Sequence, residues 1–206
     1  SKKKEERNSR ALRGVKIWVS KWGGGDLQPP PPMSSGESSL AFLGSLTTLL
    51  ILARISEALS AYAFGNGGSG GPGGLILGPF GALVTLQYGL TMAPASQPRN
   101  VVYGLGLAVT IALLFAYIPE SRVPLWVRVP FATATAITAL VRLGITHPPA
   151  GAAALIVSSG GYSWMDLPLI VLAGIITIAI ATLVNNVSER RQYPTYYRFF
   201  GGSKLV

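Results

Sequence analysis

The chain has 206 residues, 49% of them apolar and 12% charged, with a mean hydropathy of +0.43. A soluble domain carries about 25% charged residues, so the composition excludes an ordinary soluble fold and points to a chain of membrane segments. The formal charge of +9 does not mark a nucleic-acid binder, because it is confined to the two ends and no basic face runs through the apolar body.

Residues 1–26 hold eight Lys/Arg against Glu5, Glu6 and Asp26, and residues 188–206 hold Arg190, Arg191, Arg198 and Lys204 against Glu189. Two positive ends suit a membrane protein whose termini share one side of the bilayer. The absence of cysteine removes disulfides, thiolate metal sites and Cys nucleophiles. His147 is the sole histidine, which removes two-His metal sites. With no Ser/His/acid set and Glu57 the one acid within a span, an intramembrane enzyme is disfavoured. No cofactor is expected.

In chain order, residues 1–39 form a basic N-terminal arm. Leu12, Val15, Trp18, Val19 and Trp22 recur at helical spacing, so the arm can lie in the headgroup region with its tryptophans at the interface. A disordered arm, or one docking on a partner within a larger membrane complex, are the other readings. Pro29 to Pro32 make a stiff connector, and the serines from Ser34 to Ser39 offer helix caps.

The transmembrane body is residues 40–187. Span one runs from Leu40 to Phe64, and Arg54 and Glu57, three apart on one helix face, are expected to pair inside the bundle. The glycine-rich stretch Gly65 to Gly74 lacks a following Lys-Ser/Thr and reads as a connector, not a phosphate loop. Leu75 to Met92 is apolar but interrupted by Gly78-Pro79-Phe80-Gly81. Asn100 to Ile118 is a clean span. Leu125 to Ile145 is another, with Arg128 and Arg142 near its ends. Residues 147–160 are a short piece opened by His147-Pro148-Pro149, and Leu167 to Val187 is the last full span. Residues 188–206 are a basic tail.

A bilayer needs about 20 residues per helix, so the second and fifth segments are short or broken. The expected fold is thus all-α and polytopic, with about six membrane segments. Their order is full, broken, full, repeated, as a 3+3 inverted repeat would give. Pro79-Phe80-Gly81-Ala82 and Pro149-Ala150-Gly151-Ala152 support that repeat weakly. With six crossings both termini, Arg99 and His147 lie on one side.

Three blocks resemble the HPP family of integral membrane proteins. They are Gly78-Pro79-Phe80-Gly81-Ala82 with Gln97-Pro98-Arg99-Asn100-Val101-Val102; Thr146-His147-Pro148-Pro149-Ala150-Gly151-Ala152; and Leu183-Val184-Asn185-Asn186. The resemblance implies a membrane transporter. Cyanobacterial and chloroplast members are implicated in nitrite transport, which implies a plastid or cyanobacterium-type membrane.

Read physically, a helix that starts within the membrane aims free amides and a positive partial charge at a cavity. The candidate anion-binding groups are the amides of Gly81, Ala82, Gly151 and Ala152, with His147 beside them as donor, proton carrier or structural strut. Arg99 and Arg142 would attract a small inorganic anion at the mouth, or else reach to lipid headgroups. The function read from the sequence is small-anion transport, with nitrite foremost; an accessory subunit of a larger membrane complex is the alternative.

Overall fold

Proline and glycine punctuation places the helix boundaries. In the computed structural model, which describes residues 2–23, 31–64 and 78–196, the helices are α1 (Lys2–Ser20), α2 (Ser35–Phe64), α3 (Gly78–Gly89), α4 (Pro98–Ala116), α5 (Leu125–Arg142), α6 (Pro148–Ser158) and α7 (Asp166–Asn185). No strand occurs among the described residues. Pro98 opens α4 and Pro148-Pro149 opens α6, in the first turn where a missing N–H costs nothing. The end of α5 is set by Gly144, whose φ of 64° is the left-handed conformation that glycine adopts freely. There Gly144 N–H donates to the Val141 carbonyl at 3.1 Å and Ile145 N–H to the Leu140 carbonyl at 3.0 Å. That is a Schellman cap, completed by burial of Leu140 and Ile145 in one apolar cluster.

Residues 2–34 form one unit, with α1 followed by a short 3-10 turn, Lys21–Gly23; in it the Trp18 and Trp22 rings meet edge-on, centroids 4.6 Å apart. The second unit begins at Ser35 and holds α2 to α7. The first half of the proline connector, the glycine-rich stretch with Leu75 to Leu77, and the tail from residue 197 lie outside the described residues.

Each segment expected from the sequence is a helix shifted by a few residues at most. Three of them, in α2, α4 and α7, are long and apolar enough to cross a membrane, while α3 and α6 have only 12 and 11 residues. The bundle turns Leu50, Phe131, Ile137, Leu155, Leu172 and Leu183 outward and buries Thr48, Gln87, Asn100, His147, Thr177 and Asn185. Apolar outside and polar inside is the arrangement that hydrocarbon surroundings select.

Small residues let the helices approach closely. Helix α4 is central, presenting Gly104, Leu105, Ala108, Val109 and Ala112 to its neighbours, while α6 presents Ala150, Ala153 and Ala154. Among the described residues α4 packs on α5, α6 and α7; α6 also packs on α3 and α5; α7 packs on α2 and α3; and α2 packs on α3. This set of pairs is unchanged when α2 is exchanged with α5, α3 with α6 and α4 with α7. The two short helices, α3 and α6, are in direct contact.

One expectation needs correcting. Arg54 and Glu57 do form an ion pair, but on the outer surface of α2, not inside the bundle. The buried face of α2 is the row Gly44, Thr48 and Leu52, and the pair lies off that row.

Candidate functional site

Hydrogen bonds knit together the starts of α2, α4 and α6 and the ends of α3, α5 and α7, so these six ends share one face. At its centre the first turn of α4 meets the link from α5 to α6. Arg99 donates to the carbonyls of Gly144 (2.9 Å) and Leu143 (3.4 Å), a cation capping the carbonyl end of α5. Asn100, 3% exposed, donates through Nδ2 to the Thr146 carbonyl at 3.0 Å. His147, fully buried, packs so close to Gly104 that a Cβ there would lie 2.9 Å from its own. Its Nδ1 is 2.7 Å from the Ala95 carbonyl. A carbonyl only accepts, so Nδ1 carries the proton and Nε2 is left with a lone pair. Among the described residues neither His147 Nε2 nor Asn100 Oδ1 has a hydrogen-bond partner, although both are buried.

The structure thus places Arg99 and His147 at one junction, between the start of α4 and the link from α5 to α6, and adds Asn100 of the Gln-Pro-Arg-Asn block. The other expected residues do not join them. Gly81 and Ala82 are exposed on α3, and no described atom lies within 4 Å of a Cβ built on Gly81. Ala152 and Arg142 are exposed as well, and Gly151 is buried against Ile137 of α5. The amide of Gly151 is turned back on the His147 carbonyl at 3.4 Å, as is that of Ala150 at 2.9 Å. The short helices do meet, and their buried residues Phe80, Leu83, Ala150, Ala153 and Ala154 all lie in one apolar cluster. The physical reason is helix phase: alanines at i, i+3 and i+4 take the inner face of α6, and Ala152 falls outside it.

Beside this junction the chain after α7 folds back into the bundle. Tyr193 is fully buried, its hydroxyl donating to the Ser96 carbonyl at 2.7 Å and accepting from Gln87 Nε2 at 3.4 Å. Gln87 also donates to Thr177 Oγ1 at 3.1 Å. Asn186 holds both the carbonyl and the N–H of Tyr193, at 2.6 and 2.9 Å, and Thr195 N–H donates to Gln97 Oε1 at 2.9 Å. Arg191 spans the Tyr88 carbonyl at the end of α3, Asn185 Oδ1 at the end of α7 and the Glu37 carbonyl in the first turn of α2, each at 3.1 Å. Reading residues 188–206 as a basic tail missed this plug. Its available signal was polar side chains, Gln87 and Thr177, set within otherwise apolar helices.

The opposite face carries a counterpart. Arg128, in the first turn of α5 and 6% exposed, donates to the carbonyls of Ala116 and Ile118 at the end of α4 and lies beside Gly160 at the end of α6. Under the exchange that leaves the helix contacts unchanged, the ends of α4 and α6 with the start of α5 correspond to the ends of α7 and α3 with the start of α2. Arg191 occupies that second place. Tyr117 and Trp164, stacked with centroids 6.3 Å apart, and the exposed Trp126 mark the same face as aromatic interface anchors.

A helical bundle that faces apolar side chains outward and holds a polar network within is a polytopic integral membrane protein. This one belongs to the HPP family: the family's transmembrane-region profile matches residues 30–194. Two transmembrane proteins of Dictyostelium discoideum are similar to it, one 28% identical and covering 87% of this chain and 63% of its own length, the other 27% identical and covering 87% and 57%. The chain therefore spans about three-fifths of the length of these curated relatives. No solved structure matches it.

Proposed function

We propose that this protein carries a small monovalent anion across its membrane, with nitrite the foremost candidate, by alternating access between two structurally equivalent halves. The observation that carries the reading is the exchange relation among helix contacts, with Arg128 and Arg191 at corresponding helix ends on opposite faces. A transporter built from inverted repeats has this form: the site lies between the halves, and each face is closed by a related set of contacts. Arg99 and the positive ends of α4 and α6 converge on one face and draw an anion toward the buried junction. The HPP resemblance favours a chloroplast or cyanobacterium-type membrane.

The test is nitrite uptake into proteoliposomes of the purified chain. Uptake well above protein-free vesicles supports the reading, and none overturns it. A second reading, an accessory subunit of a larger membrane complex, is favoured by the exposed Trp18 and Trp22 of α1. Absence of uptake together with co-purification in a large complex from mild detergent is its expected result.

A further inference from the structure

The two orphaned atoms at the α4–α6 junction, His147 Nε2 and Asn100 Oδ1, are both acceptors. Their identity is fixed by their neighbours, since Nδ1 faces the Ala95 carbonyl and Nδ2 faces the Thr146 carbonyl. Buried polar atoms without partners are rare and call for a ligand or water. A bare anion is not that ligand, because lone pairs repel it and the two amides closest in sequence, Ala150 and Gly151, are turned to the His147 carbonyl. Pro148 and Pro149 offer no N–H.

His147 does not become a donor by taking a second proton either. The elements around it are α4, α5, α6, α3 and the 90–97 link. Residues 78–118 and 125–165 contain no acidic side chain. The charged groups on those elements are Arg99, which caps α5, Arg142 on its exposed end, and Arg128 at the opposite face. The charges on these elements are all positive, and beyond the hydrogen bond to the Ala95 carbonyl no acidic group on them offsets the desolvation of an imidazolium.

We propose that the junction takes a neutral hydrogen-bond donor, so that a transported weak acid passes His147 as its conjugate acid HX, donating its O–H to Nε2. Arg99 and the helix dipoles gather the anion at the mouth. The proton joins X⁻ before the junction and leaves from it beyond, so one proton moves with each anion and no net charge crosses. This rests on the transport reading and names its substrate class: anions of weak monobasic acids such as nitrite and formate, and not those of strong acids such as nitrate and chloride.

Two measurements on the whole chain test it. In proteoliposomes with the voltage clamped, nitrite and formate fluxes above those of protein-free vesicles should rise about tenfold for each unit by which pH is lowered. They should acidify the lumen and ignore the imposed voltage, while nitrate and chloride stay at background. His147→Asn keeps an N–H where Nδ1 donates to Ala95 but deletes the Nε2 acceptor, so it should melt near wild type and lose the protein-dependent flux. Because the protein has one histidine, 15N-histidine labelling gives a single Nε2 resonance, separated by its chemical shift from the protonated Nδ1 and the backbone amide. It should shift when nitrite is added at acidic pH and stay fixed with nitrate. Voltage-driven flux of all four anions would overturn this inference and leave transport standing. Absence of any flux would overturn both.

Discussion

Gly104 shows how tightly single residues set the junction. A methyl group there would stand 2.9 Å from His147 Cβ, which cannot swing away because His147 is the N-cap of α6. We expect Gly104→Ala to destabilise the protein by about 1–3 kcal/mol in thermal unfolding in detergent. Gly106→Ala, whose Cβ would meet Val171 at 3.9 Å, should be neutral or slightly stabilising, since alanine favours helix. At this scale the sequence was half legible. The Gln-Pro-Arg-Asn and Thr-His-Pro-Pro blocks do meet, where the sequence reading placed Arg99 and His147 only on the same side. That Ala152 and Gly81 face outward depends on helix phase against particular neighbours, and short all-apolar segments carry no amphipathic signal to set it.

Among the elements, the helix ends carry the most specific chemistry. Arg128 offers its guanidinium to the carbonyls of Ala116 and Ile118 at the end of α4, and Arg191 offers its own to the Tyr88 carbonyl at the end of α3 and to Asn185 Oδ1 at the end of α7, where cations are favoured. Hydrogen bonds to charged groups contribute about 1.5–3 kcal/mol. Arg191→Gln and Arg128→Gln should each lower unfolding stability by about that much, as read in denaturant titrations. Because the two arginines sit on opposite faces, the double variant should lose the sum to within about 0.5 kcal/mol. Strong non-additivity would mean the faces are not independent closures. Helix existence and limits were readable because Pro and Gly mark them. The role of residues 188–196 was not, because a polar, basic segment after a last span reads as a solvated tail until Tyr193 is seen filling the space between helices.

On the scale of the whole molecule, the chain direction alternates from α2 to α7, which sets an outside prediction for topology. The chain has no native cysteine, so single cysteines report cleanly to an impermeant thiol reagent. Met92→Cys and Glu189→Cys, both exposed, should label from one side, and Arg122→Cys, also exposed, from the other. Labelling of all three from one side would break the alternation. The relation between halves was faintly written in the sequence as two proline-glycine interruptions. Among the described residues the helix contacts keep the same set of pairs when α2, α3 and α4 are exchanged with α5, α6 and α7, which is the pattern on which the proposed alternating halves rest. What this architecture is for is tested most directly by counterflow. Vesicles carrying the protein are loaded with unlabelled nitrite and placed in a trace of isotopically labelled nitrite at equal pH. A carrier with one alternating site predicts a transient accumulation of label above equilibrium, absent from protein-free vesicles. Label entry that unlabelled nitrite inside leaves unchanged, or no entry at all, would contradict it.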